Sequence, residues 1–569
     1  MLHTVIKANS YQDSVSLMLL SNSLSNMEGV EGISIMMGTP ANKDIFKNTG
    51  FWTPEVDDAK PNDIVIVVNT SDAGNLSTVT EKVDQFLQNQ ASKASSTKMS
   101  KIHSWDSVAR KLPNANLAIF SIPGQYVYEE VNKALDLNMH AFIFSDNVSI
   151  EDEFKLKQKA TEKGLLVMGP DCGTGVTSGV PLAFANVIRE GNIGVVGASG
   201  TGIQEVTTLI DKLGGGISHA IGTGGRDLKE KIGALTMKAG LVGLAADETT
   251  DVIVLISKPP APNVRDEMLK LIQTITKPVV VIFIGEKPTQ QSSPDGKKQF
   301  SSVHFAWTLE DAAKLAVELA RKEGLLRTNT SLQAAVQSIS ARKEQRSIRG
   351  LYSGGTLAAE AELLIHEQLG EKARHEVMDL GDDQYTQGRP HPMIDSRVRI
   401  DMIMEAAKDP TVAIILLDVV LGYGSNDDMA GQLVPAVAKA REVASKEGRS
   451  LIFVSSVCGT AGDPQGLDSQ TQKLIAAGIV VLPSNAQAVR CSLELLEKIS
   501  GEAPNATFAS SGVSTQISNF LTTKPRVINV GLRQFATTVQ KFGGDVVQYE
   551  WAPTAGGNEQ LKRILQLLK

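Results

Sequence analysis

The chain runs to 569 residues, more than one hydrophobic core accommodates, so three or four domains are expected. Its 42% hydrophobic and 21% charged residues describe an ordinary globular protein. A net charge of −7 gives no electrostatic reason to bind nucleic acid or an anionic membrane, and no apolar run approaches the length of a membrane span.

The three cysteines, Cys172, Cys458 and Cys491, have no metal-ligand spacing, so no metal site and a reducing compartment are expected. The start Met1–Lys7 lacks the charged, apolar and cleavage regions of a secretory signal, and a cytoplasmic protein is the expectation.

Residues 3–7 read as a strand, 14–24 as a helix and Ile33–Met37 as a second strand. Asp63–Val68 is rich in β-branched residues, as in strands buried on both faces, and alternation with helical stretches predicts a parallel sheet. Residues 88–104, rich in Gln, Ser, Lys and Ala, read as a polar surface excursion. Further strands fall at Leu117–Ile122, Ala141–Phe144 and Leu165–Met168, so residues 1–190 are expected to form one doubly wound α/β domain.

A second domain, 191–325, has strands at Ile193–Val196, His219–Ile221, Val252–Ile256 and Val279–Ile284 and closes with a helix at Leu309–Leu319. A charged linker, 326–347, leads to a third domain, 348–500, with strands at Val377–Leu380, Ala413–Val419, Leu451–Val457 and Ile479–Leu482. The extension 501–569 is small for an independent fold and is expected to dock on the third domain.

Within the second domain, the strand Ile193–Val196 breaks into Gly197-Ala-Ser-Gly-Thr-Gly202 and then into a helical pattern. Strand, glycine turn and helix in that order aim backbone N–H groups and a helix dipole at one point, which suits a phosphate or another small anion. Ser199, Gly200, Thr201 and Gly202 are the candidate contacts. The third domain echoes this at an offset of 155, with Gly354, Gly355 and Thr356 opening a helix after Ser353. Later glycine turns correspond as well, Gly224 and Gly225 in one copy and Leu380-Gly-Asp-Asp383 in the other. Two copies packed about a pseudo-twofold axis would bring both turns to one cleft.

These motifs resemble the succinyl-CoA synthetase superfamily, with an α-type subunit fused to the ligase half of a β-type subunit. Met168-Gly-Pro-Asp-Cys-Gly173, Gly197–Thr201 and Ser353–Thr356 carry that likeness. Over the full length the chain resembles the FdrA family, through Met36-Met-Gly-Thr-Pro-Ala-Asn-Lys43, Asp379–Asp383, Gly388-Arg-Pro-His-Pro-Met-Ile-Asp395 and Trp551–Gly557. The resemblance implies a Rossmann-like N-terminal domain of CoA-binding type, two flavodoxin-like domains and a small α/β extension. It also implies a subunit of an oxamate carbamoyltransferase, which converts oxalurate and phosphate to oxamate and carbamoyl phosphate in allantoin degradation. A homo-oligomer working with separate carbamoyltransferase subunits is then expected.

Succinyl-CoA synthetases relay phosphate through a histidine after the strand matching Val279–Ile284. Here Gly285-Glu-Lys-Pro-Thr-Gln-Gln-Ser-Ser-Pro294 has none, and His304 reads as a strand residue. The linker is too short for a nucleotide-binding module, and Ser10-Tyr-Gln-Asp-Ser14 cannot cradle a pyrophosphate in the usual way. Phosphate or carbamoyl phosphate is thus the expected anionic substrate, with no CoA or nucleotide. The alternatives are an acyl-CoA synthetase-like ligase and a non-catalytic anion-binding scaffold.

Catalytic candidates are Arg389 as a carboxylate clamp, His391 as acid, base or hydrogen-bond donor, and Asp395, all in one proline-bounded loop. Asp382 and Asp383 follow a strand end, and Asp418 before Gly422-Tyr-Gly424 is a candidate substrate contact. Arg226 and Asp227 read either as part of the anion site or as a surface pair. Cys172 reads as a buried thiol, because no histidine is placed to activate it, and His219 as a core or capping residue.

Overall fold

The computed structural model describes residues 1–10, 12, 14–25, 27–71, 73–96, 101–286, 302–321, 345–370, 375–386, 389–499 and 524–551. Residues 287–301, most of the expected linker and the stretches 501–523 and 552–569 lie outside the described residues.

Residues 2–96 form their own unit, which corrects the single 1–190 domain. Strands Leu2–Lys7 and Val30–Met37 flank Ile64–Thr70, and both pair with it antiparallel. One face packs on helices Ser14–Ser25 and Ala73–Ser96 through Leu17, Leu20, Leu24, Val79 and Val83. The other face is covered by Phe46 and Val56. The central strand is therefore buried on both sides, and its β-branched run reads the same whichever way its neighbours point. Residues 88–96, expected as a surface excursion, continue the helix Ala73–Ser96.

The second sheet is parallel, six-stranded, and drawn from both ends of the chain. Its order is Lys101–Ile102, Asp545–Tyr549, Arg526–Val530, Leu117–Phe120, His140–Ile143, Val167–Met168. This is the doubly wound order 3-2-1-4-5-6, with positions 1 and 2 supplied by the last strands in sequence. The sheet is circularly permuted. The C-terminal strands thus pair with the 101–168 segment rather than docking on the third domain, as Val527 opposite Leu117 and Val530 opposite Phe120 show. A buried parallel sheet cannot leave Leu117–Phe120 without a neighbour, which is why the extension has too little core for a fold of its own.

Two further parallel sheets share one topology. In the first the order is Ile217–Gly222, Glu190–Gly197, Val252–Ser257, Val279–Phe283, Val303–Phe305, with the antiparallel hairpin Thr174–Thr177/Val180–Ala183 added beside Ile217–Gly222. In the second it is Glu376–Asp379, Ser347–Tyr352, Val412–Val420, Ile452–Cys458, Val480–Leu482. Both are flavodoxin-like, 2-1-3-4-5. Between them lie four helices, Gly200–Lys212, Leu309–Ala320, Gly355–Leu369 and Asn485–Ile499. Ile203, Val206, Leu309, Leu357, Ala361 and Val489 belong to one continuous core with both sheets, so the repeated units are halves of a single layer.

The permuted sheet yields a direct expectation. A chain ending at residue 500 should become protease-sensitive across 101–168 while 191–499 stays resistant, and adding a 524–551 peptide should restore protection. Limited proteolysis read by mass spectrometry checks this.

Candidate functional site

The strand Glu190–Gly197 ends in a turn whose Ser199 caps the 13-residue helix Gly200–Lys212, its Oγ accepting the Gly202 N–H at 3.1 Å. The helix Gly355–Leu369 starts against it. Ser199 Oγ and Thr356 Oγ1 are hydrogen-bonded, and the Thr356 N–H donates to Thr201 Oγ1 at 3.4 Å. The approach favours glycine on both sides. A Cβ at Gly202 would lie 3.1 Å from Thr356 Cγ2, and one at Gly354 would lie 3.1 Å from Thr201 Cγ2. The two starts meet, as the internal repeat predicts, but they touch through their hydroxyls rather than across a gap.

They also differ chemically. At the second start two backbone donors and a hydroxyl are occupied from within: Asp418 Oδ1 accepts the Ser353 N–H at 2.8 Å, and Oδ2 accepts the Gly354 N–H at 2.8 Å and the Ser353 hydroxyl at 3.0 Å. Asp418 is fully buried and paired with the equally buried Arg399 at 3.1 Å. That corrects its reading as a substrate contact, for its oxygens are spent on orienting the turn. At the first start the N–H groups of Gly200 and Thr201 donate to no described residue; the Gly355 N–H of the second start also donates to none, but there the Asp379 carboxylate lies against Gly355. Beside them Thr174 Oγ1, also buried and without a partner among the described residues, lies 3.1 Å from where a Gly200 Cβ would stand.

Asp379 overhangs the second start, where a Cβ on Gly355 would overlap its carboxylate. Burial raises its carboxyl, against the lowering effect of the Gly381 N–H donated to it at 3.0 Å. His391 packs its Nε2 edge against Gly381, and its Nδ1 accepts the Met393 N–H at 3.2 Å, so Nε2 carries the proton of the neutral ring. Burial pushes the imidazole down to about 4. His391 is thus a neutral ring near pH 7 whose Nε2–H is placed to donate, which fits the hydrogen-bond-donor role among those expected of it.

The remaining candidates are elsewhere or otherwise engaged. Arg389 is exposed. Asp395 pairs with Arg397 at 3.2 Å and accepts its N–H. Asp382 is exposed and accepts the Gln384 N–H, and Asp383 opens the short helix Asp383–Thr386. Gly224, at φ +83°, lies against the Pro170 carbonyl, a packing reason for its glycine, and Gly225 lies beside Ala198. Arg226 and Asp227 do not pair with each other. Arg226 meets Glu153 at 2.9 Å, and buried Asp227 meets Lys157 at 2.7 Å. Cys172 is a buried thiol held up to about 12 by burial. His219 is a core residue beside Asp247 at 3.4 Å, and His304 lies on the strand Val303–Phe305.

A cavity of about 280 Å³ opens nearby, lined in part by Phe144, Phe184, Phe535, Ser425, Asn426 and Gln534. Phe144, Ser425 and Leu532 follow the carboxyl ends of parallel strands, the usual place for ligands in parallel sheets. Ser425 Oγ is buried and has no partner among the described residues. The Phe184 N–H donates to the Gly173 carbonyl at 2.8 Å, and Gly173 and Thr174 in turn border Gly200, so the cavity and the first helix start share a wall. Asp379, Thr174, Arg399 and Ser425 were missed by sequence reasoning. Only Asp379 carried a signal, its place at the strand end echoing the glycine turn of the first copy.

Two flavodoxin-like units joined by one helical layer, with glycine-turn helix starts meeting at its edge, define a protein of succinyl-CoA-synthetase type. Family models agree: "CoA binding domain" matches residues 188–285 and "CoA-ligase" residues 351–495. A third model, "AllF, heavy metal-associated domain", matches 1–102. The chain belongs to the family of "Uncharacterized protein YahF" of Escherichia coli K12, with which it shares 39% identity over 87% of its own length and 98% of that protein's. It is also similar to a succinate–CoA ligase (ADP-forming) α subunit of Archaeoglobus fulgidus, 25% identical over 32% of this chain and 62% of that one. A sulfoacetate–CoA ligase subunit of Bilophila wadsworthia is 25% identical over 32% and 62%. Among solved structures, the ATP citrate lyase of Methanothrix soehngenii with citrate and coenzyme A aligns at 11% identity over 77% and 78%, with a TM-score of 0.29.

Two groups implied by these families are tested by the residues present. The 1–102 unit has no cysteine and one histidine, His3, and among the described residues no His, Cys, Asp or Glu cluster suits a metal. The residues do not fit a heavy metal. At the switch point of the permuted sheet, where a pyrophosphate would sit, the turn after Val530 has one glycine, Gly531, and the Leu532 N–H is taken by Ser121 Oγ at 2.7 Å. This turn therefore lacks the glycine-rich pyrophosphate grip usual at such a switch point. No helix among the described residues is long and apolar enough to cross a membrane.

Two measurements check the electrostatics. Asp418→Asn leaves Arg399 buried without a counter-charge and should cost about 3–5 kcal/mol in urea unfolding. Glu360, buried beside the second start, is raised to about 8 by burial, whereas an unfolded glutamate ionises near ~4.3. Between those values the folded chain holds one proton more than the unfolded chain, so stability should fall as pH rises through that window. Glu360→Gln should flatten that slope.

Proposed function

We propose that this chain handles an acyl phosphate in a ligase-type acyl transfer, with the phosphate at the first helix start and the acyl group in the neighbouring cavity. The first start supports this most. Gly200 and Thr201 offer unspent N–H donors beside the Ser199, Thr201, Thr356 and Thr174 hydroxyls, at the positive end of a 13-residue helix. A nucleophile adding at the acyl carbon breaks the bond to the bridging oxygen, and phosphate leaves with the electron pair. Donors already aimed at that oxygen cost no reorganisation as its charge grows. His391 Nε2–H would add a neutral donor from the second start.

The acid–CoA ligases among the relatives support a thiol as acyl acceptor, with CoA arriving as a substrate. A second reading has specific support in the sequence. No histidine falls between Gly285 and Val303, and residues 322–346 leave no room for a nucleotide module, so this chain supplies neither a phosphohistidine carrier there nor an ATP site in that stretch. Carbamoyl transfer between oxalurate and phosphate needs neither, and it agrees with the FdrA resemblance.

Purified protein assayed with ATP, CoA and short carboxylic acids, and in parallel with oxalurate and phosphate, separates the two. Thioester formation supports the ligase, and carbamoyl phosphate and oxamate support the transferase. Both require inorganic phosphate to bind, with affinity falling at least about tenfold in Ser199→Ala/Thr356→Val, a loss of ~1.4 kcal/mol. Calorimetric titration showing no phosphate binding would overturn both.

A further inference from the structure

The two helices that meet at Thr356 carry another matched pair deeper in the layer. Glu205 and Glu360 stand at the same offset of 155 that relates the two glycine turns. Each is 1% exposed. Glu205 Oε1 accepts the backbone N–H of Asn485 at 3.0 Å, and Asn485 opens the last helix of the third domain. Glu360 Oε1 accepts the N–H of Leu309 at 2.7 Å, and Leu309 opens the last helix of the second domain. The pairing is reciprocal: each half's glutamate satisfies a first-turn donor of the other half's closing helix.

Asn485 joins the two. Its Nδ2 donates to Glu360 Oε2 at 2.8 Å and to the Leu357 carbonyl at 3.0 Å, while its Oδ1 accepts the Tyr352 hydroxyl at 3.0 Å. The first helix is held at its far end too, where Lys212 Nζ donates to the Val457 carbonyl at 2.9 Å. A buried carboxyl costs several kcal/mol in lost hydration unless donors face it, and an apolar residue would fill this layer with no such cost. Two acids at equivalent positions, each directed across the boundary at a helix start, set position rather than add stability.

We propose that Glu205 and Glu360 are positioning residues that hold the two glycine turns in register, each by tying its own helix to the opposite half. The proposal builds on the anion-binding reading of the turns, and its consequence is that loss of one glutamate is felt in both halves.

The test measures hydrogen exchange and phosphate affinity on the full chain. Glu205→Ala should raise exchange at least tenfold in helices Asn485–Ile499 and Gly355–Leu369, both in the other half, with Ile64–Thr70 unchanged. It should also weaken inorganic phosphate binding about tenfold, a loss of ~1.4 kcal/mol. Glu205→Gln keeps an oxygen for the Asn485 N–H and should restore both. If Glu205→Ala fails to fold, Glu205→Asp, shorter by one methylene, carries the same expectation. The proposal falls if exchange rises uniformly along the chain, if the change stays within Gly200–Lys212, or if phosphate affinity is unaltered while exchange rises. Wild-type protein that binds no phosphate would overturn the anion reading alone, and the exchange pattern would then decide the positioning role.

Discussion

A helix buried at its end leaves first-turn N–H groups that must find acceptors, and that constraint organises the centre of this molecule. The two flavodoxin-like sheets bury one face each against the same four helices, so four helix starts come inside or to the edge of one layer. Three receive a carboxylate from within the protein. Asp418 serves the Gly354 turn, Glu360 the start at Leu309 and Glu205 the start at Asn485. The start at Gly200 has unspent donors and no carboxylate bonded to its turn among the described residues, which is why the anion is assigned there.

That inequality changes the meaning of the repeat. Duplication suggests two equal contributions to one cradle, but the second copy has its own carboxylate bonded to its turn. Its Ser353-Gly-Gly-Thr356 turn is rigidified by Asp418 and Arg399 and lends the site one hydroxyl, that of Thr356. Symmetry sets where the turns are, and the charge beside each decides what it does.

Much of this was legible in the sequence, for identifiable reasons. Apolar runs such as Val252–Ser257 and Val412–Val420 mark buried parallel strands, and the offset of 155 identified the two helix starts before any contact was known. The direction of Ile64–Thr70 was not legible, because burial on both faces erases the alternation that marks an antiparallel strand. The partner of Leu117–Phe120 was out of reach for another reason, since it lies some four hundred residues along the chain. Asp418 looked like a ligand contact because an acid at a strand end suits either task, and only the Ser353 and Gly354 N–H groups show which one it performs.

The permuted sheet also bears on how the chain is made. Leu117–Phe120 and His140–Ile143 leave the ribosome early, yet the strand that covers the open edge of Leu117–Phe120 comes only at Arg526–Val530. Contacts of such sequence separation form slowly, and until they form an apolar strand edge is available to other chains. The two flavodoxin-like halves can assemble during that interval, since both lie wholly between these segments. Synthesis therefore favours an order of assembly in which the permuted sheet closes after the centre, and the nascent chain depends on protection of one edge until translation has passed residue 530.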